Sequence, residues 1–218
     1  MATRATPDDP TRRETGTSAS SVPDVPGPRA RGLGARDLAY VATFAALIVV
    51  LGLPGAIFAF GSGVPITLQT FGVMLAGLIL GGRRGALACL LVVALCALGL
   101  PVLAGGRGGL GVFAGPTVGF LLGWVPGAAV TGWLAARRAP GFSVPWGTAG
   151  ALLGGIGVVH ALGVLVLAWR AHLAPSAALT ADLVFVPGDL VKAALAVVVA
   201  AAVHRAVPGL LPPRGARP

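Results

Sequence analysis

The chain has 218 residues, of which 56% are hydrophobic and only 11% are charged, and its formal net charge is +9 at pH 7. A soluble domain carries roughly twice that charged fraction, so the composition excludes an ordinary water-soluble globular protein. The charges are also segregated, since no Asp, Glu, Lys or Arg occurs between residues 38 and 82. We therefore predict an all-α integral membrane protein.

The first segment, residues 1–34, differs in composition from the rest of the chain. It is rich in Pro, Thr, Ser, Arg and Asp and has almost no bulky apolar side chains. Such a segment cannot bury enough surface to offset its ordering entropy, which predicts a disordered cytoplasmic tail. The first apolar run begins only at Leu38 and is too long for a signal-peptide core, so no secretory signal is predicted.

Glycine and proline clusters divide the following apolar runs into six segments, each near the length that one membrane span requires. In chain order we place the helices at residues 37–58, 66–81, 85–104, 117–136, 146–169 and 183–203. A glycine-dense loop at 105–111 separates the third from the fourth, and Pro126 should kink the fourth. The six spans form a predicted domain over residues 35–207, and residues 208–218 form a short basic C-terminal tail.

The basic residues indicate the orientation of these spans. With six spans, 13 of the 16 basic residues fall in the N-terminal tail, in the 83–84 and 137–138 turns and at the C-terminus. The positive-inside rule then places both termini in the cytoplasm. We predict a multi-pass protein of the plasma membrane, in contact with lipid, and we read the net charge as a topology signal. No aromatic–basic patch suggests a nucleic-acid partner.

Several kinds of chemistry lack their sequence signatures. The chain has one lysine and no phosphate-binding loop, so it is not predicted to hydrolyse ATP. Cys89 and Cys96 lack suitably spaced histidine partners and are predicted to be packing residues, with no metal site. His172 and His204 lie in separate segments. His160, in the middle of the fifth span, is predicted to hydrogen-bond between helices. We expect neither an enzyme nor a bound cofactor.

The sharpest feature is the pair formed by Asp189 and Lys192. After Asp37, the only acidic residues in the sequence are Asp182 and Asp189. Residues three apart project from the same helix face, and ionisable groups at membrane depth face a cavity, a partner or each other. The pair could be an ion pair that fixes helix packing, or part of a site for a polar substrate.

Other polar residues favour the substrate site. Arg107, in the glycine-dense loop, and Thr67 and Gln69, at the start of the second helix, lie towards the same outer side of the membrane in the predicted topology. A guanidinium can hold a carboxylate through two hydrogen bonds, although a solvated loop arginine is the simpler alternative.

Three stretches of the sequence resemble the BioY family, the substrate-binding components of biotin transporters of the energy-coupling-factor (ECF) type. They are residues 64–84, which begin Val-Pro-Ile-Thr-Leu-Gln-Thr, residues 99–123, which include Gly-Pro-Thr at 115–117, and residues 187–192, Pro-Gly-Asp-Leu-Val-Lys. The resemblance covers about residues 37–205. It implies a six-helix subunit that binds biotin from outside, with a transmembrane coupling protein and two cytoplasmic ABC-type ATPases as partners.

The resemblance also implies roles for particular residues. Asp189 would accept a hydrogen bond from a ureido N–H of biotin, and Lys192 would balance its charge or donate to the ureido carbonyl. Arg107 or Lys192 would meet the valerate carboxylate. Phe120 and Trp124 would pack on the rings or simply pack between helices. Family members often have tyrosine where this chain has Phe120, so one hydroxyl is missing here. The remaining substrate-binding candidates are Gln69, Thr67 and Thr117.

Small residues on the first helix are spaced for close helix contact, at Ala35 and Ala39 and again at Ala42 and Ala46. In subunits similar to this one, such alanines dock the coupling protein. In an alanine-rich chain the spacing could equally arise by chance.

Three other readings stay open. A substrate-binding component for another vitamin would share the composition and topology. A stand-alone secondary transporter would use Asp189 for proton coupling. A scaffold without transport activity would fit the helices but would leave Asp189 and Lys192 without a role.

Overall fold

The computed structural model describes residue 1 and residues 33–54, 57–58 and 65–211. The predicted N-terminal tail therefore lies almost entirely outside the described residues, as do residues 212–218 of the predicted C-terminal tail. Between the first two long helices, two short strands, β1 (Ile57–Phe58) and β2 (Pro65–Ile66), pair in an antiparallel ladder.

Nine α-helices are present in the described part of the chain. A 3-10 turn, Ala136–Arg138, extends the fifth, and a π-helical segment, Ala151–Val158, joins the sixth to the seventh in one continuous helix, Val144–Arg170. The helices are α1 (Ala35–Val50), α2 (Gln69–Leu80), α3 (Gly82–Ala97), α4 (Gly111–Ala114), α5 (Val118–Ala135), α6 (Val144–Gly150), α7 (Val159–Arg170), α8 (Pro175–Leu183) and α9 (Val186–Ala206).

Three of the described helices are long and apolar enough to cross a bilayer: Val118–Arg138, Val144–Arg170 and Val186–Ala206. By contrast, α1 and α3 have 16 residues each and α2 has 12. At 1.5 Å per residue, 16 residues reach about 24 Å, less than the roughly 30 Å hydrocarbon core of a typical bilayer. The helical, strongly apolar character of the fold matches the prediction, and the count of six spans remains a prediction.

The ends predicted for the first and third helices were wrong. The first was expected to reach residue 58, but α1 ends at Val50, and turns that include Pro54 lead towards β1. The third was expected to reach residue 104, but α3 ends at Ala97. Gly99 there has φ of +97°, a conformation open mainly to glycine, and Pro101 lacks the N–H that a continuing helix would need.

Two short helices, α4 and α8, were not predicted. Because α8 ends at Leu183, α9 begins at Val186 and not at residue 183. Pro175 and Pro187 lie in the first turns of α8 and α9, where the missing proline N–H breaks no helical hydrogen bond. The chain therefore enters α9, the last long helix, through a short turn between α8 and α9, which we call the corner.

Glycines bring α5 close to its neighbours, which include α2, α3 and the long helix Val144–Arg170. A Cβ atom added at Gly77 of α2 would lie 2.8 Å from the carbonyl oxygen of Ala128, and one added at Gly123 would lie 3.1 Å from the Cα of Val159. Small residues allow the backbones of membrane helices to approach in this way. The position of α5 is thus set by contacts that side chains would block.

The π-helical segment lies against α5. The Thr131 hydroxyl donates to the Gly150 carbonyl at 3.1 Å, which gives that carbonyl a partner at the start of the segment. A Cβ at Gly154 would overlap the backbone nitrogen of Thr131, and a Cβ at Gly155 would meet Met74 of α2. The wide π turn therefore lies where Gly154 and Gly155 allow α5 and α2 to approach closely.

Arg84 connects three parts of the chain near the start of α1. Its Nη2 forms a 2.7 Å salt bridge with Oδ1 of Asp37, and its Nη1 donates to the Leu210 carbonyl at 3.1 Å. Leu210 and Leu211 are buried, so the backbone that follows α9 is packed against the helices.

We predict that Gly132→Ala destabilises the protein. A Cβ at residue 132 would overlap the backbone of Gly81 and Gly82, and such overpacking costs about 1–3 kcal/mol. The thermal unfolding midpoint in detergent should fall by several degrees. The matched control is Gly111→Ala, because nothing lies within 4 Å of a Cβ at that position. Equal midpoints for the two variants would contradict this account of the packing.

Candidate functional site

A buried polar cluster joins α2 and α9. Lys192 Nζ donates to Oδ1 of Asp189 at 2.9 Å and to Oγ1 of Thr70 at 3.1 Å. The Thr70 hydroxyl in turn donates to the same Oδ1 at 3.0 Å. Asp189 and Lys192 are only 4% and 9% exposed. The pair predicted from the i, i+3 spacing therefore exists, and a threonine from another helix completes it.

The cluster continues through His160 of α7. Its Nε2 lies 3.1 Å from Oδ2 of Asp189, and its Nδ1 lies 2.8 and 2.9 Å from the two carboxylate oxygens of Asp182. His160 thus forms the interhelical hydrogen bonds expected of it, to both α8 and α9. The corner between α8 and α9 makes this possible, since it brings two aspartates seven residues apart to opposite sides of one imidazole.

Asp189 and Lys192 have more hydrogen-bonding sites than the contacts within the cluster use. An ionised carboxylate offers about four acceptor sites and an ammonium three donors. Oδ1 of Asp189 accepts from Lys192 and Thr70, whereas Oδ2 meets only His160 among the described residues. Lys192 likewise uses two of its three donors within the described part of the chain. Within the described residues, one acceptor on Asp189 and one donor on Lys192 therefore remain, on two side chains that are bonded to each other.

These groups line a cavity with an empty volume of about 710 Å³, its open mouth included. All eight residues predicted for the substrate site line it: Thr67, Gln69, Arg107, Thr117, Phe120, Trp124, Asp189 and Lys192. The other lining residues are Thr70, Leu103, Val112, Leu121, Val159, His160 and Phe185.

Aromatic and aliphatic side chains form much of the wall. Phe120 and Trp124 come from successive turns of α5, and Phe185 comes from the corner before α9. The Phe120 ring meets the His160 imidazole edge to face, with ring centroids 6.0 Å apart. The cavity therefore combines one polar region with a larger apolar surface.

Gln69 ties the glycine-dense loop to the helices. Its Nε2 donates to the carbonyls of Ile48, at 3.2 Å, and Val102, at 3.0 Å, and its Oε1 accepts from the backbone N–H of Ala104 at 3.0 Å. Both amide hydrogens are therefore used by the backbone. Gln69 lines the cavity, but its polar atoms hold the loop in place.

Arg107 is presented by that loop. Its backbone pairs with Leu103, with N···O distances of 3.0 and 3.2 Å, and its Nε donates to the Ala104 carbonyl at 3.3 Å. Gly105 and Gly106 have φ of +75° and +70°, which other residues rarely adopt, so the tight turn needs these glycines. Within the described residues, the two terminal nitrogens of Arg107 make no hydrogen bond.

Comparison with known proteins agrees with this architecture. The BioY family pattern matches residues 20–209 of the chain. The chain belongs to the BioY family. It is 47% identical over 192 residues to the "Biotin transporter BioY" of Rhizobium etli, covering 84% of this chain and 100% of that protein. It is 51% identical over 192 residues to the "Biotin transporter BioY" of Rhodobacter capsulatus, covering 83% and 99%.

A solved structure resembles the fold of this BioY family member. It is described as the crystal structure at 2.1 Å of the S-component for biotin from an ECF-type ABC transporter. The TM-score is 0.74 at 33% sequence identity, and the match covers 80% of this chain and 93% of that one. The helical arrangement around the cavity is thus an S-component fold.

Sequence reasoning missed two members of the cluster, Thr70 and Asp182. Asp182 could have been found, because it, His160 and Asp189 are the few ionisable groups in a long apolar region, and buried charges need partners. Thr70 belongs to the same short polar stretch as Thr67 and Gln69, which were predicted for the site, but the sequence alone did not show that its hydroxyl meets Asp189 and Lys192.

We predict that Gln69→Leu releases the loop at residues 102–107. The change leaves the buried N–H of Ala104 and two carbonyls without partners, and each such group costs about 1–3 kcal/mol. Hydrogen exchange of the Ala104 amide in detergent should become at least about tenfold faster, as 1.4 kcal/mol implies. The control is Leu68→Ala at a more exposed neighbour, which should leave exchange at Ala104 unchanged. Unchanged exchange in Gln69→Leu would show that the amide does not hold the loop.

Proposed function

We propose that this protein is the biotin-binding membrane subunit of an ECF-type uptake transporter and not an enzyme. It binds biotin from outside the cell in the cavity near the outer membrane face and delivers it inwards with an energising module. The observation that carries the proposal is the paired acceptor on Asp189 and donor on Lys192 inside a largely apolar cavity. The names of the BioY relatives and of the matched S-component support it.

The chemistry of biotin fits this cavity in three parts. A ureido group presents an N–H donor beside a carbonyl acceptor, which complements Asp189 and Lys192. The apolar bicyclic body and the valerate chain suit a wall that includes Phe120 and Trp124. The carboxylate is an acceptor for a cation, and Arg107 lines the same cavity with its terminal nitrogens available in the described part of the chain. Hydrogen bonds to charged groups contribute about 1.5–3 kcal/mol each.

The remaining substrate-site residues have supporting roles in this proposal. Thr67 and Thr117 line the cavity and add hydroxyls to its wall, and Gln69 holds the loop that presents Arg107. Biotin is cargo in this proposal, which requires no metal and no cofactor.

The membrane arrangement proposed here is six spans over residues 35–207, with both termini in the cytoplasm of a plasma-membrane protein. The clustering of arginines in the 83–84 and 137–138 turns supports this orientation. In this proposal ABC-type ATPases supply the energy for uptake through a transmembrane coupling protein, which the match to an S-component supports and which is consistent with a sequence that has no phosphate-binding loop. Ala35, Ala39, Ala42 and Ala46 are all exposed on α1, as a docking face for the coupling protein requires.

We expect the purified protein to bind biotin and Asp189→Asn to weaken that binding at least about 100-fold. The variant removes the charge that both the ligand N–H and Lys192 use, and 100-fold corresponds to about 2.7 kcal/mol. Isothermal titration in detergent measures the affinity. Asp37→Asn is the matched control, because Asp37 is also a salt-bridged aspartate, paired with Arg84 at the start of α1, but it does not line the cavity.

Mass spectrometry of ligand that co-purifies with the protein identifies the vitamin directly. Biotin is the expected species. Thiamine or riboflavin in its place, with no biotin binding in titration, would overturn the proposal in favour of another vitamin. Wild-type affinity in Asp189→Asn would remove Asp189 from the site.

Arg107 and Lys192 are the two cations that could meet the carboxylate, and biotin methyl ester distinguishes between them. If Arg107 meets the carboxylate, the protein prefers biotin to biotin methyl ester by about tenfold or more, and Arg107→Met abolishes that preference. Affinities of both ligands for both proteins form a complete cycle. A preference that persists in Arg107→Met assigns the carboxylate to Lys192.

A further inference from the structure

Asp182 and His160 form a buried arrangement that the proposed biotin contacts do not use. Asp182 lies near the end of α8, is 3% exposed and faces Nδ1 of His160 through both of its oxygens. Within the described residues its only salt-bridge partner is that imidazole, with no lysine or arginine within 4.0 Å. A buried carboxylate without a cation is costly, and His160 is the group placed to supply the balancing charge.

The hydrogen-bond geometry fixes the form of the imidazole. Ionised carboxylates can only accept, and both ring nitrogens of His160 face carboxylate oxygens at 2.8–3.1 Å. Both nitrogens therefore carry hydrogen when Asp182 and Asp189 are ionised. The cluster then holds two carboxylates and two cations, His160 and Lys192, and is neutral overall, which suits a site at membrane depth.

The other elements around the cluster contribute few charges. The sequences of α2, of α5 and of the π-helical segment contain no ionisable side chain, and Asp182 is the only one in α8. Arg107 lines the same cavity. On α9, His204 lies 12 residues beyond Lys192, about 18 Å along the helix axis. The charged groups of the cluster are therefore Asp182, His160, Asp189 and Lys192, with Arg107 on the cavity wall. On α7 itself, Arg170 lies 10 residues beyond His160, about 15 Å along the helix axis.

We propose that His160, oriented and held cationic by Asp182, is a positioning residue that sets the Asp189 carboxylate for the ligand. Resting on the function proposed above, this assigns the ligand N–H to Oδ2 of Asp189, because Oδ1 already accepts from Lys192 and Thr70. A neutral imidazole bonded to Asp182 through Nδ1–H turns the lone pair of Nε2 towards Oδ2. That repulsion displaces the carboxylate and weakens binding, so affinity falls at the pH where His160 loses its proton.

The test is biotin affinity of the purified protein in detergent across pH 6–10. Asp182→Asn is nearly isosteric and keeps an acceptor for Nδ1–H but removes the charge that stabilises the imidazolium. Removing an adjacent opposite charge shifts a titration by roughly one to three pH units. The alkaline loss of affinity should move at least about one unit lower in Asp182→Asn, with affinity at the acid end within about threefold of wild type.

Two further variants make the result specific. Thr180→Val alters another polar residue of α8, an exposed one that bonds only within its own helix at Ser176, and should leave the pH profile unchanged. His160→Gln cannot become charged, so its weakened binding should lack the alkaline loss of affinity that the imidazole causes in wild type.

A pH profile of Asp182→Asn that is parallel to or superimposed on that of wild type would overturn the proposal, since a purely structural Asp182 would lower affinity equally at every pH. An unchanged alkaline loss in His160→Gln would overturn it as well. Failure of the proposed function gives a different result, because wild type itself would then not bind biotin at any pH. Biotin binding by wild type with parallel or superimposed profiles refutes only the positioning role.

Discussion

Neutralisation of buried charge is the constraint on which the site depends. The helices around the cavity are almost entirely apolar, and an unpaired ion placed among them costs several kcal/mol even after relaxation. Asp189 can be ionised there only because Lys192, Thr70 and His160 surround its two oxygens. These partners come from three different helices, α9, α2 and α7. The charged site therefore exists only while these helices keep their arrangement, and its bonds in turn help to hold them there.

Close backbone packing gives that arrangement its precision. α5 approaches its neighbours at glycines, so its distance from them is limited by main-chain atoms and not by adaptable side chains. The same helix carries Phe120 and Trp124 into the cavity. In a bilayer, helices gain little from excluding water from one another, and shape and hydrogen bonding decide how they associate. The apolar wall is consequently held in a fixed relation to the polar cluster.

The sequence predicts the general organisation well because its strongest signals are local. Long uncharged runs, the Asp189–Lys192 spacing and the position of Arg107 in a glycine-dense loop can all be read along the chain, and the structure brings these residues to one cavity. The ends of α1 and α3 could not be read in this way, since glycine and proline occur both within and between membrane helices. The link between His160 and Asp182 spans 22 residues and depends on the corner before α9. The use of the Gln69 amide depends on where three separate backbone segments meet.

Gln69 also has a mechanical consequence. Through one side-chain amide it joins the carbonyl of Ile48, near the end of α1, to the backbone at Val102 and Ala104. A shift of α1 along its axis by a single residue, about 1.5 Å, would stretch the 3.2 Å bond to Ile48 beyond hydrogen-bonding range or carry Gln69 and the loop with it. Force applied to the exposed alanine face of α1 would thus reach the segment that presents Arg107. The position of α1 and the position of this segment are in this way connected by a single glutamine.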